Sequence, residues 1–438
     1  MLTAVLLLAL TQAPKDMPMP KDPLWDLMDY GPFLTTAMTM PNGTVTPKGI
    51  VVKLGSGAAC FDTDLLRYAA AWDGGWLQLL GPPFEGSRSP DAKTRPKMRG
   101  TLRMATSSVP GVLQGDGRDP RPEPYGPVPA DLARYRGLYV HGSRVVLSYT
   151  AGGCEILDLP GYEKGTFTRT LRLGPSATPV TLLIGEAQDP SEPVTQGRHI
   201  TLGNLSAAAT VGEWKVIGKS RVYLEIPAHD RVLLAKVAFG GDADAGGEIE
   251  DPLTLTRGGP TRYADPVVTK GTLGVAGGAY EVDTLTAPDD NPWKSWLRFT
   301  GLDFFPDGRA ALCTWNGDVW IVSGIDASLA KVSWKRYATG LFQPCGLKIV
   351  GDRIYVVARD QITVFHDLNG DGEADYYENF NNDCTEKGNY HEFAMDLNTD
   401  PEGNFYYAKG GLGANFPGGP WCAATGPPGK FAPRPPFA

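Results

Sequence analysis

Between Asp367 and Glu378 the chain reads D-L-N-G-D-G-E-A-D-Y-Y-E. Side-chain oxygens recur there at Asp367, Asn369, Asp371, Asp375 and Glu378. A hard cation such as calcium takes roughly six to eight oxygen ligands, and calcium loops supply them in this order. Gly372 stands where such a loop turns sharply. Glu373 offers its backbone carbonyl, Asp375 binds directly or through a water, and Glu378 closes the site with both carboxylate oxygens. A polar turn without metal is the plainer reading of the same string. Calcium is favoured because the acidic and glycine positions coincide.

The flanks decide what kind of loop this is. Arg353 to Phe365 is rich in β-branched and aromatic residues, which is strand composition. An EF-hand needs an amphipathic helix there. The loop is therefore expected to join strands, with calcium as a structural ion.

Composition narrows the rest. The chain has 438 residues, enough for two domains with sizeable cores. Its 54 glycines and 38 prolines punctuate short apolar runs, which favours an all-β chain. A net charge of −8 without a long basic block argues against nucleic acid or an anionic membrane as partner. Leu2 to Leu10 is apolar but too short to span a bilayer. It reads as a signal peptide over residues 1–13, so export to the periplasm or beyond is expected. No other stretch is long and apolar enough for a transmembrane helix. The six cysteines could pair in an exported protein. The sequence contains neither C-x-x-C nor C-x-x-C-H, which leaves no zinc ribbon and no c-type haem site.

Residues 14–33 read as a linker, and residues 34–290 as a β-sandwich-like domain. Leu138–His141 and Arg144–Tyr149 form a hairpin around Gly142-Ser143. Alternating segments follow at Cys154–Leu159, Thr166–Leu173, Val180–Ile184, His199–Leu202, Trp214–Ile217, Val222–Ile226 and Val232–Ala238. Residues 81–130 are dense in Pro, Gly, Arg and Asp and read as a surface excursion. His141, His199 and His229 lack ligand spacing.

From Gly301 the chain repeats. Gly301-Leu-Asp-Phe-Phe-Pro-Asp-Gly-Arg309 and Gly346-Leu-Lys-Ile-Val-Gly-Asp-Arg353 each lead into paired strands, and their first glycines are 45 positions apart. Phe393 to Ala408 is a third copy. A step of about 40 to 50 residues marks propeller blades. Residues 293–416 hold two to three blades, fewer than the smallest propellers, so the chain is expected to be truncated. Residues 417–438 are Pro/Gly-rich and are expected to be disordered.

The repeat segment resembles the quinoprotein glucose/sorbosone dehydrogenase-like propellers. The resemblance rests on Gly301 to Leu312, on Gly317-Asp-Val-Trp320, and on Asn389-Tyr-His391 followed by Asp400 to Gly411. It implies a quinone cofactor (PQQ), a sugar substrate, and His391 as the base that takes the proton from the anomeric hydroxyl. Glu392-Phe393 stands where the family usually has glycines. The whole chain is also similar to the front of large secreted bacterial proteins with a β domain of uncharacterised role. Phe61 to Arg67 and Gly152 to Gly161 carry that similarity. It implies a following cytochrome-c-like domain as electron acceptor.

From the residues alone, His391 is as good a structural histidine as a general base. Trp293, Trp296, Trp315 and Trp320 suit either sugar stacking or a core. Lys409 could meet an anion, although a lone lysine is usually solvated. Two functions remain open: a calcium-containing quinoprotein oxidoreductase, and a non-catalytic calcium-stabilised propeller that binds glycans or proteins.

Overall fold

Antiparallel strands carry nearly all the regular structure in the computed structural model, and the fold is all-β. It describes residues 24–41, 43, 45–79, 95–113, 117–121, 126–384, 386, 393–410 and 421–424. The expected signal peptide lies outside the described residues.

Alternation placed the strands of the first part well. The hairpin is Ala133–His141 against Arg144–Ala151, with Arg144 opposite His141 across the two-residue turn. Thr166–Leu173 and His199–Leu202 have the bounds read from the sequence. Along Thr166–Leu173, Phe167, Arg169, Leu171 and Leu173 are buried on the core side, as the two-residue period of a strand requires, and Thr170 on the other side is buried as well.

These strands build two large sheets. Nine strands, from Phe33–Thr39 to Glu213–Ile217, form one, and twelve form the other. The main core lies between them, with Val52, Phe61 and Leu182 from the first sheet against Tyr149, Ile156 and Leu171 from the second. Each such side chain is worth roughly 1.5–3 kcal/mol when fully buried.

Within this core sits a charged pair. Arg169 donates from Nε and Nη2 to Asp158 Oδ2 at 3.0 and 2.7 Å. Tyr149 donates to the same oxygen at 3.0 Å, and Tyr68 of the facing sheet donates to Oδ1 at 3.2 Å. Arg169 Nη1 donates to the Leu183 carbonyl at 3.0 Å. Both carboxylate oxygens are used, and both sheets contribute.

Three expectations need correction. The linker end is not loose: Leu24–Leu27 is a helical turn, and Met28 and Tyr30 are buried with Trp72. Its apolar residues outweigh its prolines there. The excursion over 81–130 gives Thr101–Ala105 to the nine-stranded sheet, between Arg67–Asp73 and Val180–Glu186. The Pro/Gly-rich tail contributes Trp421–Ala424, which pairs with Phe405–Lys409 and so occupies its free edge.

The repeats are antiparallel meanders. Phe299–Phe304, Ala310–Thr314, Val319–Ser323 and Val332–Ala338 form the first, with Val267–Thr269 at its edge. Gly346–Val350, Arg353–Val357, Ile362–His366 and Tyr376–Asn381 form the second. Ala394–Thr399 and Phe405–Lys409 begin the third. Among the described residues no sheet closes on itself.

Close packing explains the repeated glycines. A β-carbon on Gly301 would meet the Leu347 nitrogen at 2.9 Å, and one on Gly346 would meet the Asp396 carbonyl carbon at 2.6 Å. The first strand of each meander therefore lies against the next. The second meander also crosses the boundary expected near residue 290. Tyr376, Tyr377 and Glu378 pair with Tyr139, Leu138 and Gly137, which makes the twelve-stranded sheet continuous through both parts.

Candidate functional site

Two places gather the residues that the sequence singles out. The first is the acidic hairpin loop between Ile362–His366 and Tyr376–Asn381. Its oxygens are held mainly by backbone amides. Asp367 Oδ1 accepts from Gly370 at 2.7 Å, and its Oδ2 accepts from Gly372 at 2.9 Å. Asn369 Oδ1 accepts from Asp371 at 3.1 Å, and Asp371 Oδ1 accepts from Glu373 at 2.9 Å. Gly372 has φ +81°, the left-handed turn that glycine adopts without penalty.

A segment the sequence reading passed over clamps this loop. Gly259 N donates to Asp375 Oδ1 at 2.8 Å, and Thr261 Oγ1 donates to Asp371 Oδ2 at 2.7 Å. Asn369 Nδ2 donates back to the Gly259 carbonyl at 2.8 Å. Gly258 and Gly259 form a wedge. A β-carbon on Gly258 would meet Asn369 Cβ at 2.7 Å, and one on Gly259 would meet His141 Cα at 2.7 Å. The string Arg257-Gly-Gly-Pro-Thr-Arg-Tyr263 was the available signal.

The other two expected ligands lie differently. The Glu373 side chain is buried and accepts from Lys335 Nζ at 3.1 Å and from the Arg262 and Tyr263 amides at 2.9 and 2.5 Å. That leaves its backbone carbonyl as the group for a cation. Glu378 is opposite Val364 on the paired strand, with Oε2 2.7 Å from His366 Nε2.

Charge balance is the notable feature. Asp367, Asp371 and Asp375 form no ion pair with a lysine or arginine among the described residues. Burial, opposed by amide donors and reinforced by Asp371 and Asp367, pushes the Asp375 carboxyl above its ordinary value. Among the described residues, no three His, Cys, Asp or Glu side chains converge as a formed metal site. The donor set is nevertheless all oxygen with uncompensated negative charge, which fits a hard cation.

The second place is where the turns of successive meanders meet. Arg359 is fully buried and donates from Nε and Nη2 to the two oxygens of Glu386 at 3.1 and 3.2 Å. Its guanidinium lies over the rings of Phe393 and Phe342, at 4.9 and 5.2 Å. Lys409 corrects the expectation of a solvated lysine. It is buried and donates to the Arg359 carbonyl at 2.8 Å and to Glu386 at 3.2 Å, which offsets its desolvation. Lys48, from the nine-stranded sheet, reaches this region and bonds Asp64 and the Asn382 carbonyl at 3.0 and 2.7 Å.

Asp360 is the exception among these charges. It is buried, and its Oδ1 has no hydrogen-bond partner among the described residues. Burial pushes its carboxyl up to about 7, against the pull of Lys48 and Lys409 and with help from Glu386.

Trp293 and Trp320 pack edge to face at 5.6 Å, and Trp320 is fully buried, so both serve the core. Trp296 packs against Trp25 at 5.9 Å, and Trp315 packs against Phe393 at 4.8 Å. His391 lies outside the described residues. Cys60, Cys154, Cys313 and Cys345 carry free thiols. No helix among the described residues is long and apolar enough to cross a membrane.

Residues 59–158 match the model of DUF6797, a domain of unknown function. The match runs from the first sheet into the second and includes Tyr68, Tyr149 and Asp158. No curated protein matches the chain.

Proposed function

We propose that this chain is a calcium-stabilised, propeller-like β module of an exported protein, and that it binds a glycan or a protein rather than transforming it. The observation that carries this reading is the acidic hairpin loop, where Asp367, Asp371 and Asp375 share one clamped turn without a lysine or arginine partner among the described residues. Asp367, Asn369, Asp371, Asp375 and the Glu373 carbonyl would hold the ion, and calcium would supply the missing charge. Binding to the folded state alone adds about 2.7 kcal/mol at a free calcium level of about 100 times Kd. Melting curves in calcium and in chelator test this. A higher melting temperature in calcium, lost in Asp371→Ala, is the expected result. Identical curves on metal-free wild-type protein would sink it. Export rests on the Leu2–Leu10 segment, and sequencing the mature N-terminus of the secreted protein tests it.

A second reading has one observation in its favour. Asp360 presents a buried carboxyl with one oxygen unbonded among the described residues and a pKa pushed up to about 7, beside the cluster to which Glu386 and Phe393 belong. A group of that kind suits proton transfer. In this reading the protein is an oxidoreductase of the quinoprotein sugar dehydrogenase-like type, with His391 as base and a cytochrome-type acceptor. The described residues do not make a cradle for PQQ. The quinone carries carboxylates, and the buried cations Arg359 and Lys409 are already paired with Glu386. Reconstituting the full-length protein with quinone, a sugar panel and an artificial acceptor tests this reading. Turnover that vanishes in His391→Ala supports it, and undiminished turnover in that variant rules out the assigned base.

A further inference from the structure

We propose that a cleft on the twelve-stranded sheet, bordered by Lys53, Leu54 and Gly55 from a hairpin of the nine-stranded sheet, is a binding site for a neutral saccharide. The inference uses the binding-module reading only for the site's role, because the cleft shares no residue with the calcium loop. The cleft encloses about 430 Å³, within the range of about 300–1,000 Å³ usual for small-molecule sites.

Strand alternation builds its floor. Phe167, Arg169 and Leu171 point into the core, so Thr168, half-buried, and Thr170, buried at the base, lie on the cleft side. Gly161 is opposite Thr168, and Leu159 is opposite Thr170. A β-carbon on Gly161 would meet Thr168 Oγ1 at 2.6 Å, so the glycine leaves that hydroxyl uncovered and the floor flat. Neither threonine hydroxyl is bonded to another protein group among the described residues.

The walls are charged but balanced. Arg144 forms a two-pronged pair with Glu250, with its Nη1 at 2.9 Å from Oε1. Lys236 is opposite Thr170 and donates to the Gly246 carbonyl at 3.0 Å, which leaves two further ammonium hydrogens. Glu248 adds an acceptor on the rim. Lys53 also lines the cleft, but its ammonium lies over the ring of Trp76, 4.1 Å from the centroid, so Arg144 and Lys236 are balanced by Glu248 and Glu250 and the lining has little net pull on an ion of either sign.

What remains is a row of hydroxyls that donate and accept, an ammonium donor and a carboxylate acceptor. Leu54 and Leu159 supply apolar surface beside them. A polyhydroxylated ring matches that combination, since its hydroxyls need both kinds of partner and its C–H faces need apolar surface. A simple anion or cation matches only half of it.

Saturation-transfer NMR on the full chain tests the site. The probes are glucose, galactose, mannose, maltose and cellobiose, with citrate as the anionic comparison. At least one neutral sugar is expected to bind, with citrate giving no signal. Thr168→Val is isosteric and removes only the hydroxyl, and Lys236→Met removes the ammonium. Each should weaken sugar binding at least about tenfold. Unchanged melting temperatures confirm that both variants fold, and Lys236→Met, at the rim, carries the test if Thr168→Val does not. The proposal is overturned if no sugar in the panel binds, if citrate binds in their place, or if affinity survives in the folded variants. Chelator melting curves decide the calcium reading independently of all these results.

Discussion

Asp158 and the acidic hairpin loop both concentrate negative charge, yet they are neutralised in opposite ways. Asp158 is fully buried, and two arginine nitrogens and two tyrosine hydroxyls cover its oxygens. Asp367, Asp371 and Asp375 of the loop accept from amides and one threonine hydroxyl, and among the described residues they form no ion pair with a lysine or arginine. Asp360 lies between these cases, buried like Asp158 but with one oxygen unpartnered among the described residues. A buried carboxylate with both oxygens hydrogen-bonded and an arginine paired to it is a fastener between sheets. One with unmet demand is where a ligand or a proton can act.

The largest effect should come from breaking the fastener. Asp158→Ala leaves Arg169 buried without its partner, which costs about 3–5 kcal/mol. Urea unfolding measures it, and a loss under about 1 kcal/mol would mean the pair is no more than decoration. Gly346→Ala should come next. Its β-carbon would press on the Asp396 backbone at 2.6 Å, and overpacking of this kind costs about 1–3 kcal/mol. A neutral result in the same assay would show that the first strands of the meanders are not tightly stacked.

Asp360 sharpens the comparison through pH. Its folded pKa is raised to about 7 from the ordinary 3.8, so the folded state holds a proton that the unfolded chain has released. Stability from this group is therefore full below the ordinary value and is lost as pH rises through about 7. Asp360→Asn should flatten that part of the pH–stability curve. The same slope in wild type and variant would assign the titration elsewhere. The smallest effect belongs to Arg144→Ala. Its partner Glu250 and Arg144 itself are 46% and 41% exposed, and such surface pairs give about 0–1 kcal/mol.

Strands were legible because their signal is local. The alternation in Thr166–Leu173 and His199–Leu202 gave bounds that the structure repeats. The acidic loop was legible for the same reason, since its oxygens are spaced within one turn. The clamp was not, because Gly259 meets Asp375 across 116 positions and carries no strand pattern of its own. Lys409 was misjudged because its partner Glu386 is 23 positions away and gives no signal beside it. Thr101–Ala105 was hidden in a Pro-rich stretch, and the sheets on either side of it drew it in. Asp158 and its partners come from four strands, which no single window of sequence brings together.

Equilibrium dialysis against buffered calcium is the most direct test of the acidic loop, with bound metal counted per chain. Wild type should bind calcium at one site, Asp371→Ala and Asp375→Ala should lose it, and Glu378→Gln should keep it because His366 already engages that carboxylate. Binding that disappears in Glu378→Gln would mean that the longer loop closes on the ion. Wild-type protein that takes up no calcium at millimolar free metal would contradict the account.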